Sequence, residues 1–141
     1  MKFAIVLYSY FPYGGLQQDL LKILQACRRK QITVTVFCME WEGEKPINTD
    51  IVILPSQGYT KTAKRDYFVE KMLEATLDKY DLVLGFNKMP GLDYYYAADY
   101  CFAEKARNER SFLYRLTSRV KQYMDFEEAK SFKPALVFPN E

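Results

Sequence analysis

The apolar positions of this chain follow two different periods. Residues 2–9, KFAIVLYS, form a short apolar run rich in β-favouring side chains and predict a buried strand. From residue 16 the spacing becomes helical. Leu16, Leu20, Ile23, Leu24 and Cys27 recur on one face, and Gln17, Gln18, Lys22 and Gln25 take the other. The glycine pair in YSYFPYGGLQQDLL separates these periods, so the first unit is strand, glycine turn, helix. CRRKQ gives that helix a basic end, which suits the negative end of its dipole. ITVTVFCM predicts a second strand, EWEGEKPIN a polar loop, DIVILP a third strand closed by Pro55, and SQGYTKT another loop.

Residues 62–79 predict a moderately amphipathic helix with Phe68, Met72, Ala75 and Leu77 on its apolar side. YDLVLGF is a fourth strand with its own carboxyl-end loop, NKMPGLD. A Tyr-rich passage over 94–102 leads into a charged segment from Glu104 to Lys130, and ALVF predicts one more strand. Strands alternating with helices define an α/β chain: a Rossmann-like parallel sheet flanked by helices, with right-handed crossovers. Ligands bind such sheets at the carboxyl edge of the strands, where the glycine pair and NKMPGLD both fall.

A chain of 141 residues makes one ordinary domain. Its net charge of +2 and the lack of a recognised motif offer little footprint for nucleic acid. Histidine is absent, which removes the commonest neutral-pH base and the commonest metal ligand. Cys27, Cys38 and Cys101 show no paired spacing and read as reduced thiols of a cytoplasmic protein. The N-terminal apolar run is too short for a signal peptide, and nothing approaches the ~20 apolar residues of a membrane span.

Two roles are open to Gly14 and Gly15. They can form a tight turn, or they can expose backbone N–H groups at a helix N-terminus to a phosphate. Neither a dinucleotide fingerprint nor a Walker loop is present. Asp19, near the start of the helix, can compensate the dipole or orient a sugar hydroxyl. In NKMPGLD, Pro90 and Gly91 set a turn, which is by itself a sufficient reason for the loop.

LYSYFPYGGLQQDLLKI, EWEG, GFNKMPGLDYYYAADYCFAEKA and SFLYRLTSRVKQYMDFE together resemble the lipopolysaccharide core glucosyltransferases of Gram-negative bacteria. The resemblance runs to about residue 128. It implies the N-terminal half of a GT-B fold, a retaining transfer of glucose from UDP-glucose to an inner-core heptose, and no metal or cofactor. It makes residues 1–141 the acceptor-binding domain, without the donor-binding domain and inactive alone. Gly14 and Gly15 become donors to the diphosphate, and Asp19 and Asp99 the carboxylates at the reacting sugars. Asn87, Lys88 and Asp93 become acceptor contacts, with Lys88 suited to a phosphate. The leaving diphosphate serves as base in such a transfer, so the absence of histidine is no objection. The other class of reading is a non-catalytic module that binds a lipid surface.

The segment 104–130 bears on both readings. From Lys105 to Tyr123, Lys105, Arg107, Arg110, Arg115, Arg119 and Lys121 face Glu109 alone. At about 100° per residue, Arg107, Arg110, Tyr114, Ser118 and Lys121 share an arc of roughly 80°. The pattern fits a solvated face on a core-packed helix. It equally fits a basic surface helix on anionic lipid, worth ~1 kcal/mol per Lys or Arg near the headgroups. The resemblance favours membrane contact through Lys105, Arg107, Arg110, Tyr114, Arg115, Arg119 and Lys121. It implies a peripheral protein on the cytoplasmic side of the inner membrane, with a nucleotide sugar and the lipopolysaccharide acceptor as partners.

Overall fold

The computed structural model describes residues 1–97 and the backbone of 136–137. Its elements are β1 (Lys2–Val6), β2 (Ser9–Tyr10), α1 (Gly15–Arg29), β3 (Thr33–Cys38), β4 (Glu40–Trp41) and β5 (Asp50–Ile53). They continue with α2 (Lys61–Thr76), β6 (Leu82–Gly85), β7 (Tyr94–Tyr95) and β8 (Leu136–Val137). Six strands form one sheet in the order β5-β3-β1-β6-β7-β8, every pairing parallel. Counted along the chain, that is the Rossmann order, with the direction of winding reversed between β1 and β6. The strands expected from ITVTVFCM, DIVILP, YDLVLGF and ALVF are all present within a residue or two of their expected ends.

β1 is the centre of the sheet and is covered on both faces. Its side chains alternate: Ile5 and Leu7 join Leu20, Leu24 and Cys27 of α1, whereas Ala4, Val6 and Tyr8 join Phe68, Val69 and Met72 of α2. Burial on both faces is why KFAIVLYS reads as a nearly unbroken apolar run rather than an alternating one. The two helices lie on opposite faces because the crossovers stay right-handed while the winding reverses.

Two side chains depart from the sequence pattern. Gln17, expected on the outer face of α1, is only 4% exposed. Its amide fills the space beside Gly14 that a side chain at that position would take, and Phe11 closes the same space. A missing Cβ one turn earlier thus makes room for a polar group. Leu77, expected on the apolar side of the second helix, is 70% exposed. α2 stops at Thr76, whose hydroxyl donates to the Met72 carbonyl at 2.9 Å, and the chain then turns away through Asp78 at φ 55°. Val69 fills the inward position instead.

α2 is capped by Thr60, whose side chain accepts from the Ala63 N–H at 3.1 Å. Its opening residues include Lys61, Lys64 and Arg65, and its first turn holds no acid. The helix dipole disfavours cations there by about 0.3–1 kcal/mol each. At the amino-terminal side of the sheet, two aspartates prolong the ladders. Asp81 bonds Lys2 through both its N–H and its carboxylate, and Asp93 does the same with Val83.

These packing differences set the cost of truncation. Met72→Ala removes a side chain with no exposed surface and is expected to cost about 2–5 kcal/mol. Leu77→Ala is expected to stay within about 0.5 kcal/mol. Urea denaturation of both variants measures this, and equal losses would contradict the early end of α2.

Candidate functional site

The reversal between β1 and β6 opens the carboxyl edge of the sheet at one place, where Tyr8 meets Asn87. The Tyr8 N–H donates to Asn87 Oδ1 at 2.8 Å, and the Tyr8 hydroxyl donates to the Lys88 carbonyl at 3.4 Å. On the other flank the Tyr8 carbonyl accepts from the Met39 N–H at 2.9 Å. Residue 8 is therefore held by both neighbouring strands just before the chain turns into the glycine loop. Asn87 and Lys88, two of the expected acceptor contacts, are brought to this point by the end of β6.

EWEG does more than form the polar loop expected of it. Glu40–Trp41 pairs in parallel with Ser9–Tyr10, and the Trp41 and Tyr10 rings stack at 3.8 Å and 8°. Pro12 then rests against Gly43, which adopts φ 99°. This clasp fixes the approach to Gly14. The sequence offered one signal for it, a lone tryptophan in a polar loop, but no periodicity to pair it with.

Gly14 is the N-cap of α1 at φ −94° and ψ 148°, and it supplies no side-chain cap. The first helical bond runs from the Gln18 N–H to the Gly14 carbonyl at 3.2 Å. Neither glycine of the pair has positive φ, so the turn itself does not demand glycine. Gly14 instead leaves its side-chain space to the Gln17 amide, which a Cβ there would push aside. Gly15 has no such neighbour among the described residues: a Cβ there would meet none of them within 4 Å. What its glycine does provide is an uncovered helix N-terminus, where N–H groups and the positive end of the dipole favour an anion.

Asp19 lies one turn further along, beyond the first turn in which dipole compensation acts most strongly. The Tyr96 hydroxyl donates to Asp19 Oδ2 at 3.0 Å, and Lys22 Nζ donates to Oδ1 at 3.2 Å. Tyr96 follows β7, bonds the Gly85 carbonyl through its N–H at 2.8 Å and stacks on the buried Phe86 ring at 5.0 Å. The Tyr96 bond, then Lys22, hold the Asp19 carboxyl below its ordinary range. Burial, then Asp19, push the Tyr96 phenol up. Sequence reasoning missed Tyr96, although its place in YYY directly after the fourth strand's loop put it at the same edge.

The expected site residues therefore divide. Gly14, Gly15, Asp19, Asn87 and Lys88 gather at the carboxyl edge near the switch point. Asp93 does not join them, because it pairs with Val83 toward the amino-terminal side of β6. Asp99, Lys105, Arg107, Arg110, Tyr114, Arg115, Arg119 and Lys121 lie outside the described residues, as does Cys101. Cys27 and Cys38 are buried free thiols, and burial pushes the Cys38 thiol up to about 11. Among the described residues no group of His, Cys, Asp and Glu is arranged to hold a metal ion. None of the described helices is long and apolar enough to cross a membrane.

This sheet order, with an uncapped glycine-opened helix at its switch point, is the Rossmann-like arrangement of the N-terminal half of a GT-B glycosyltransferase. A solved structure described as WaaG, a glycosyltransferase involved in lipopolysaccharide biosynthesis, superimposes with a TM-score of 0.82. It is 39% identical in sequence, and the match covers 96% of this chain and 37% of that one. The lipopolysaccharide glucosyltransferase WaaG of Escherichia coli (strain K12) is 42% identical over 127 residues, which are 89% of this chain and 34% of WaaG. Sequence and fold together relate the chain to the lipopolysaccharide glucosyltransferases, and it spans about a third of the length of the relatives it matches. No family model matches it.

The Asp19–Tyr96 bond has a pH signature. A carboxyl held below its ordinary value near 3.9 contributes stability that is present above that pH and lost as pH falls through the lowered value. Tyr96→Phe is therefore expected to raise the Asp19 pKa toward the ordinary value. Its stability deficit against the parent should be full at neutral pH and shrink below about pH 4. Carboxyl-carbon NMR titration with urea denaturation at several pH values measures both, and an unmoved Asp19 pKa would refute the coupling.

Proposed function

We propose that this chain is the acceptor-side domain of a retaining glucosyltransferase that moves glucose from UDP-glucose to an inner-core heptose of lipopolysaccharide. The observation that carries this reading is Gly15. Among the described residues nothing in conformation or packing calls for glycine there, yet it opens the helix N-terminus at the switch point, in a chain 42% identical to a lipopolysaccharide glucosyltransferase. In the proposed mechanism the N–H groups at Gly14 and Gly15 face the donor diphosphate and take up charge as it leaves. Asp19, kept ionised and aimed by Tyr96, orients a hydroxyl of the transferred or accepting sugar. Asn87 and Lys88 meet the acceptor, with Asp99 a second carboxylate on that side. The leaving diphosphate accepts the hydroxyl proton, so the transfer calls for neither a histidine nor a metal. The donor-binding half completes the site, and these residues alone should not turn over.

The test of the glycine loop uses a chimera that joins this chain to the remainder of a full-length relative. Gly15→Val points branched carbon at the bound diphosphate, while its Cβ meets no described residue of the free domain. Donor affinity and rate should both fall at least about tenfold, the scale of a lost charged hydrogen bond, with a nearly unchanged melting temperature. A large stability loss with normal activity in the folded fraction would leave the loop a turn and nothing more.

The acceptor is a lipid, so the proposal includes docking on the cytoplasmic face of the inner membrane through the basic residues of segment 104–130. The chain should bind vesicles containing anionic lipid, bind neutral vesicles little, and release as salt rises. Replacing Arg107, Arg110 and Lys121 together by Gln should remove most of the binding and leave the fold intact. A triple variant that sediments with anionic vesicles like the parent would return the segment to a solvated face.

A further inference from the structure

Gln17 is a buried polar side chain that the described fold leaves without a task. It is the third residue of α1 and only 4% exposed, and among the described residues its amide makes no hydrogen bond. A buried amide without a partner costs free energy that an apolar side chain of the same size would avoid. A glutamine at this helix position ordinarily completes a capping box by bonding the N-cap backbone N–H. Here the side chain does reach back along the helix to the N-cap residue, Gly14, yet that bond is not made.

The placement of the amide decides what it can do. Its Oε1 and Cδ atoms occupy the space where a Cβ on Gly14 would stand. The oxygen lies closer to that point than the carbon, so the acceptor faces the helix start and the NH2 group points away from it. Oxygen toward the positive end of the dipole is the favourable sense, and it leaves the donor hydrogens in want of an acceptor. Phe11 borders the same space and is itself 42% exposed, which puts the amide beside a surface side chain of the glycine loop. The φ of Gly14 does not call for glycine. A glycine and an unpaired glutamine thus act together to bring one donor to a helix N-terminus that carries no side-chain cap.

We propose that Gln17 Nε2 is a ligand-binding donor, directed at an oxygen of an anion held by the α1 N-terminus. The backbone N–H groups of the first turn meet the anion along the helix axis, and the Gln17 amide meets it from beside Gly14. A phosphate-class group suits this set, because it offers several acceptor oxygens to donors that approach from different directions. Its assignment as the donor diphosphate rests on the glucosyltransferase reading. The role of Gln17 as a donor rests on its burial and placement.

The test titrates the full 141-residue chain with inorganic pyrophosphate while backbone and side-chain amide signals are followed by NMR. The Gln17 side-chain NH2 signals are expected to shift and to saturate together with the Gly15 and Leu16 backbone amides. Gln17→Met keeps the length of the side chain and removes the donor. It should weaken pyrophosphate binding by about tenfold, the scale of one hydrogen bond to a charged group, while the urea midpoint stays level or rises. Gln17→Glu keeps the shape but replaces the donor by a negative acceptor, and should weaken binding further. A role in packing alone would lower the midpoint or leave the affinity untouched. Gly15 and Leu16 signals that saturate while the Gln17 side chain stays still would overturn the contact and leave the anion at the glycine loop. A Gln17→Met variant that binds like the parent would do the same. Absence of any saturable shift would also overturn the contact. The donor reading is then decided separately by Gly15→Val in the chimera, which leaves Gln17 in place.

Discussion

The central constraint on this molecule is that β1 has a parallel neighbour on each side and is buried on both faces. A strand so enclosed can release its chain only at its carboxyl end, between β3 and β6. There the backbone of Tyr8 bonds Met39 on one side and Asn87 on the other before the chain turns toward α1. Every described group proposed to handle the donor or acceptor is hung from that exit. The glycine loop continues from it, Asn87 and Lys88 close on it, and Tyr96 arrives through the strand beside β6.

Different side chains then take structural and chemical roles at closely spaced positions. Gly14 leaves room for the Gln17 amide, whereas a Cβ at Gly15 would meet no described residue. Asp93 spends its carboxylate on a strand ladder, while Asp19 presents its own to Tyr96, Lys22 and solvent. The contrast follows from position along the strands. Carboxylates at the amino-terminal side can satisfy backbone N–H groups where the ladder begins, whereas those at the carboxyl side face the opening. The Tyr10–Trp41 stack serves the same division, because it holds the loop that delivers Gly15 without entering the opening itself.

An uncapped helix N-terminus at the carboxyl edge would let the proposed transfer hold a leaving diphosphate through backbone dipoles. Such a hold calls for neither a metal nor a titrating histidine.

Much of this was legible in the sequence. Strand and helix periods predicted the parallel α/β sheet and most of its elements, because burial on two faces and on one leave different apolar spacings. The glycine pair and the NKMPGLD loop pointed to the carboxyl edge, because strand-to-helix turns in such a sheet fall there. Resemblance over long, unusual strings pointed to the lipopolysaccharide glucosyltransferases. Tertiary structure alone decided which residues meet. Tyr96 reaches Asp19 across 77 positions and Tyr8 reaches Asn87 across 79, separations that no local period encodes. It also decided that Gln17 turns inward, that Leu77 escapes the core and that Asp93 is spent on the sheet. Each outcome depends on the space left by a neighbour or on the point where a strand begins, and composition and spacing carry no record of either.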